Sequence, residues 1–236
     1  MRDGTTGFEY WKALFTARSQ RASPAPEADI DYRCVPSSVA RSLAIFQLGE
    51  SGGGSVIGQA RTSRLPGLNA DYADCIELFV AEEHRHADVL ACCVRLLGGE
   101  LLAENWTARL FVRGRRLMGL RLKVLVLLAA EVVGLSYYEL IASRLPRCRV
   151  REMLREIQRD ERDHLGFHCQ FFRTQTFTAW RQWVFRWSWR TLMWLCEVVV
   201  LIDHRHALRD LGINRLEVRR RWRKHSRQAE SAVVRK

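Results

Sequence analysis

DERDH, residues 160–164, places a carboxylate and an imidazole three positions apart, at Glu161 and His164. Three residues make nearly one helical turn, so both side chains leave the same face. Steps of three and four connect this pair to Val150, Leu154 and Ile157 before it and to His168 and Phe171 after it. The pair therefore stands on the seam that should face a core. EEHRH, residues 82–86, repeats the arrangement with Glu83 and His86, on a seam of Ile76, Phe79, Leu90, Cys93 and Leu97.

Two more apolar seams carry a single carboxylate each. Glu131 follows Val124, Leu127 and Leu128 and precedes Gly134, Leu135 and Tyr138, while Glu50 lies among Val39, Leu43, Phe46, Gly53 and Ile57. An ionised carboxylate costs several kcal/mol to bury unless it is paired. Arg and Lys are absent from these seams, so metal cations are the expected counter-charge. The turn signals agree with such a grouping. Pro66 lies midway between Glu50 and Glu83, and Pro146 midway between Glu131 and Glu161. Two antiparallel hairpins would bring each pair of carboxylates to one height.

The same periodicity predicts an all-α fold. Four long helices are expected at about 37–63, 69–98, 117–146 and 149–176, with a long crossover between the second and third. An aromatic-rich helix is expected at 179–204, ahead of a basic tail. Glycine and proline mark the ends. Three regions follow: a loosely structured N-terminal segment at 1–36, a four-helix bundle at 37–176, and the aromatic helix with its tail at 177–236.

One Glu from each of two helices plus Glu-x-x-His from each of the other two resembles the ligand set of the ferritin-like diiron-carboxylate superfamily. The resemblance implies a ferritin-like bundle in which Glu50, Glu83, His86, Glu131, Glu161 and His164 hold two iron ions, with manganese or a mixed Mn/Fe pair as the other occupants. It also implies that Asp160 serves the ring of His86 and that Glu82 serves His164. His168 is expected to be a hydrogen-bonded core histidine, with an extra-ligand or pocket role as the alternative. Tyr138 is read as a core aromatic, with a redox or pocket role as the alternative. The rubrerythrin branch is disfavoured, because no four-cysteine iron site is present and Gly134 stands where that branch has a further carboxylate. An oxygenase or oxidase branch remains, with Gly53, Gly54 and Gly134 expected to leave room for O2 and substrate beside the metals, and GESGG at 49–53 is locally similar to the first ligand motif of demethoxyubiquinone hydroxylases. The expected activity is O2-dependent hydroxylation, desaturation or oxidation of an apolar or lipid-like substrate, with an external electron donor. The alternatives are a ferroxidase or iron-binding protein with no organic substrate, and a metal-free helical interaction module.

The composition suits a folded domain, with 236 residues of which 47% are hydrophobic and 27% charged. The formal charge of +12 is concentrated at the C-terminus, where residues 204–236 hold eleven Lys or Arg against three Asp or Glu. Seven cysteines without a CxxC pair read as thiols in a reducing compartment. The N-terminus lacks the apolar core of a signal peptide. The longest apolar run, residues 124–138, contains Glu131 and falls short of a membrane span. A cytoplasmic protein is expected, at most peripheral to the inner face of a membrane. Five of the eight tryptophans fall at 180, 183, 187, 189 and 194, interleaved with Arg181, Arg186 and Arg190. Residues 180–225 are therefore expected to pack on the bundle or on a second copy of the chain, or to meet a membrane surface, and nucleic acid is disfavoured. DHRH at 203–206 is read as an exposed helix end.

Overall fold

The computed structural model describes residues 7–21, 32–52, 54–105, 118–176 and 178–234, and every regular element among them is a helix. In chain order these are α1 (Phe8–Ser19), α2 (Ser37–Glu50), α3 (Ser55–Thr62), α4 (Ala70–Leu96), α5 (Leu120–Arg144), α6 (Arg149–Gln175), α7 (Ala179–Asp203), α8 (Arg205–Asp210) and α9 (Arg215–Val233). Local chemistry explains the boundaries. Asn69 accepts a hydrogen bond from the Tyr72 amide at 3.1 Å and caps α4. The turn before it uses Gly67 at φ +75°, a conformation that side chains resist, and α4 closes on Gly98 at φ +70°.

Side-chain contacts set the directions of the long helices. Arg121 meets Gln175, Glu131 meets His164, and Gly134 faces Glu161, so α5 and α6 run antiparallel. Arg85 meets Glu156 and Glu82 meets His164, so α4 and α6 are antiparallel as well. Hence α4 and α5 are parallel, and the connection from 97 to 119 joins the end of one to the start of the other. Residues 106–117 of that connection, which hold most of the expected crossover, lie outside the described residues.

Three expectations are corrected. The single helix expected at 37–63 is broken between α2 and α3 at Ser51–Gly54. Each glycine costs a helix about 1 kcal/mol relative to alanine, and four of them cluster between Gly49 and Gly54. The N-terminal segment read as loose contains α1, which buries Phe8, Trp11, Phe15 and Arg18 along one face. Its seat is Gly166 of α6, where a Cβ would lie 2.7 Å from the Trp11 ring. There Trp11 Nε1 donates to Gln170 Oε1 at 2.7 Å. The basic tail is also largely helical. α9 buries Val218, Trp222, His225, Ala229, Ala232 and Val233 against α5, α6 and α7. Apolar residues from α1 through α9 belong to one core cluster, so the three regions expected from sequence share a single core.

α5 is the one helix, among the described residues, long and apolar enough to cross a bilayer, but 83% of its apolar window is buried inside the protein. The apolar run at 124–138 is thus the middle of a core helix. Five cysteines, at 75, 92, 93, 148 and 169, are buried, and no disulfide links any of the seven.

Candidate metal centre

The seams of α4 and α6 meet in the interior. Glu83, His86, Glu161 and His164 each offer one ligand atom there, all within 4.8 Å of one another. The two histidines are fully buried, Glu161 is 2% exposed and Glu83 9%. His86 Nδ1 lies 3.6 Å from Glu83 Oε1 and 3.3 Å from Glu161 Oε1. His164 Nδ1 lies 3.0 Å from Glu83 Oε1 and 4.0 Å from Glu161 Oε2. Each of these carboxylates therefore stands between both rings. Glu83 Oε1, His86 Nδ1, Glu161 Oε1 and His164 Nδ1 are all buried without a hydrogen-bond partner, which is an expensive condition for polar atoms.

The far nitrogens of the rings are satisfied. His164 Nε2 is 2.8 Å from Glu82 Oε2, and His86 Nε2 is 3.4 Å from Asp160 Oδ2. These are the two pairings expected from sequence. With Nε2–H donated outward, each Nδ1 lone pair is turned toward the centre.

The lone glutamates flank the four. Glu131 Oε2 is 3.6 Å from His164 Nδ1, and Glu131 Oε1 is 3.5 Å from His168 Nε2. Glu50, half-buried at the end of α2, accepts a hydrogen bond from the Tyr138 hydroxyl at 2.9 Å. Its carboxyl feels Glu83 most strongly among the neighbouring charges. All six residues expected from sequence thus gather around one point, with Glu50 and Glu131 outside the tight group of four.

Two readings of neighbouring residues change. His168 is fully buried, yet neither ring nitrogen has a hydrogen-bond partner. It is not the satisfied core histidine expected; burial, then His164, lowers its pKa to about 3 and keeps it neutral. Gly134 does not open space beside the centre, because a Cβ there would lie 3.2 Å from the Tyr138 ring and 3.7 Å from Glu161 Cδ. Around Gly54 there is open space, but at the helix break; Gly53 lies outside the described residues. DHRH is also different from the reading of an exposed end. His204 is 5% exposed, accepts or donates a hydrogen bond with Ser42 Oγ at 2.7 Å, and stacks on Phe46.

Sequence reasoning missed the contribution of α1. Arg18 is 8% exposed and reaches Asp160 Oδ1 at 3.4 Å, Glu82 Oε2 at 3.8 Å and Asp163. Arg21 and Arg85 also contact Asp160. Cations therefore neutralise the outer carboxylates. Among the described residues, no Arg or Lys pairs with Glu50, Glu83, Glu131 or Glu161.

Protons take the place of cations at the inner group. Burial opposes charge on both rings, but Asp160, Glu161 and Glu83 raise the pKa of His86, and Glu131, Glu82 and Glu83 raise that of His164. Glu50 is pushed up by burial and by Glu83, and Glu131 by burial and by Glu161. Despite burial, the adjacent His164 and His86 rings hold Glu83 below the usual range, and His86 with Arg18 and Arg85 holds Asp160 there.

These shifts determine how stability depends on pH without metal. Stability from the raised histidines is complete below their ordinary value of about 6.5 and is lost as pH climbs through the raised values. Raised Glu50 and Glu131 act with the same sign from about pH 4.3 upward, whereas lowered Glu83 and Asp160 remove stability only as pH falls below about 4. With chelator present, the melting temperature is expected to fall from about pH 6 to about pH 9. Mn(II) or Fe(II) should remove that fall, since metal displaces the same protons. Thermal denaturation across this range checks it, and a rise with pH under chelation would contradict it.

Comparison with protein-family models, with curated proteins and with solved structures found no match.

Proposed function

We propose that the protein is a non-haem diiron, O2-dependent oxidoreductase acting on an apolar organic substrate. The observation that carries the reading is the set of four buried donor atoms without partners, within 4.8 Å of one another, on Glu83, His86, Glu161 and His164. Buried carboxylates and imidazoles left unpaired in this way fit cations and little else. Two ions are favoured over one because Glu83 and Glu161 each stand between both histidines, which suits bridging. Glu50 would complete one side and Glu131 the other, in the pattern of a ferritin-like bundle.

An iron pair held there supplies the activation of O2. The chain's own residues supply the rest. Asp160 and Glu82 hold the imidazoles in the tautomer that presents Nδ1 inward. Tyr138 fixes the Glu50 carboxylate by its hydroxyl. His168, neutral and 3.5 Å from Glu131, would offer a further nitrogen donor on that side. Phe79 meets both His164 and His168 edge-on with centroids at 4.8 Å, and Phe15 covers His164 from α1. These rings exclude water from the side of the centre they cover.

Anaerobic titration of the purified protein with Fe(II), followed by mixing with O2, tests the reading. Two Fe(II) per chain and rapid O2 consumption are expected. Many irons per chain in a large assembly would favour a storage ferroxidase. Absence of metal binding would leave a helical interaction module.

A further inference from the structure

We infer that α7 and α9 together form a face that docks on an anionic lipid membrane. α7 is apolar on two opposite sides. One side, Phe185, Trp189, Met193 and Val200, is buried. The other carries Trp180 at 67% exposure, Trp183 at 52%, Trp187 at 64%, Trp194 at 62%, Val198 at 38% and Ile202 at 53%. At about 100° per residue these exposed positions fall in one stripe roughly 100° wide. The stripe runs nearly the full 25 residues of the helix. Within it the rings of Trp180 and Trp183 stack at 5.0 Å.

α9 lies antiparallel beside α7. Trp189 Nε1 donates to the Ser226 carbonyl and Trp222 Nε1 to the Met193 carbonyl, both at 3.1 Å, and Arg190 pairs with Glu230. The side of α9 turned from the core forms a groove lined by Arg219, Arg220, Arg223, Lys224 and Arg227, with Leu216 among them at 75% exposure. Each helix puts its opposite side on the bundle, so the tryptophan stripe and the basic groove both face outward.

The acids of these two helices offset only the Arg219 part of this charge, and Asp203 at the end of α7 is half-buried. Glu197 is paired with Arg219, Glu217 with Arg144 and Glu230 with Arg190. No exposed residue on α7 or α9 is acidic. Tryptophan prefers the headgroup level of a bilayer, where one edge is apolar and the other wet. A helix with an aromatic and aliphatic stripe flanked by Arg and Lys lies in the plane of an anionic interface. A second copy of the chain would set two strongly basic faces against each other. A nucleic acid would leave Val198, Leu195 and Ile202 unmatched. The charge and the apolar stripe are answered together only by lipid.

The test uses the full chain and vesicles of phosphatidylcholine, alone or mixed with phosphatidylglycerol. Cosedimentation with the anionic vesicles at low salt is expected to exceed that with phosphatidylcholine alone by at least about tenfold, to weaken with salt, and to shift tryptophan emission to the blue. Trp180→Ser with Trp183→Ser and Trp187→Ser should reduce vesicle binding at least about tenfold at either salt, since the apolar stripe is lost. Arg219→Glu with Arg223→Glu and Arg227→Glu should remove the preference for phosphatidylglycerol. Circular dichroism on both variants establishes that the helices persist. Absence of binding to anionic vesicles at low salt would overturn the inference. So would folded tryptophan variants that bind like the original chain, a dimer by light scattering that those variants dissociate, or single-stranded RNA binding without vesicle binding.

Discussion

His164→Ala is expected to take the bound iron from two per chain to below one and to abolish O2-dependent turnover, while the chain stays folded. His164 is the residue on which most of the centre converges: Glu83, Glu131 and Glu161 lie within 4.0 Å of Nδ1, and Glu82 takes Nε2 at 2.8 Å. Removing the ring deletes a donor and leaves Glu82 with only the more distant Arg18. Glu82→Gln is the milder comparison. It keeps the donor but weakens the acceptor that orients it, and a loss of about 10–100-fold in metal affinity is expected. Metal analysis after loading, with circular dichroism as the control for folding, measures both variants. Two irons retained in His164→Ala would remove this residue from the centre.

Arg18→Met should lower stability by about 3 kcal/mol, the lower end of the 3–5 kcal/mol seen when one partner of a buried ion pair is removed. The lower end applies because Arg21 and Arg85 continue to contact Asp160. For a chain of this size about 3 kcal/mol corresponds to a fall of roughly 6–12 °C in melting temperature. Arg18→Lys should recover part of that, since it returns a charge but not the branched geometry that reaches Asp160, Glu82 and Asp163 together. Equal melting curves for the Arg18→Met variant and the original chain would show that the cluster of acids is stable by itself.

The centre was legible because it breaks a pattern. Glu and His on an apolar seam stand out against periodic Leu, Ile and Phe, and their spacing reports a shared face without any knowledge of packing. The same periodicity located α4, α5, α6 and α7 to within a few residues. The outer pairings of Asp160 and Glu82 were implied by the resemblance to diiron-carboxylate proteins, carried on the residues just before Glu161 and Glu83. α1 escaped because its seam is short. Phe8, Trp11, Phe15 and Arg18 have helical spacing, but the surrounding 36 residues are polar on average and hide it. Its seat at Gly166 is a contact between distant residues, which no local pattern displays. α9 was hidden by its charge: counting Arg and Lys obscured Val218, Trp222, His225 and Ala229 on the opposite side. The break after Glu50 is hidden for another reason. Glu50 to Ile57 keeps helical phase across the glycines, so phase alone cannot distinguish a continuous helix from an interrupted one. For His168, spacing reports the face but not whether the nitrogens find partners.

The seating of Trp11 against Gly166 has a consequence for the N-terminal helix. Through Phe15 and Arg18 the same helix touches His164, Glu82 and Asp160. The helix and any ions in the centre therefore act on shared groups and are thermodynamically linked. Whatever affinity the ions gain from a docked α1, α1 gains in equal measure from the ions. An ion bound in the centre would therefore make residues 8–19 a reporter of occupancy, placed on the outside of the bundle and reading its interior.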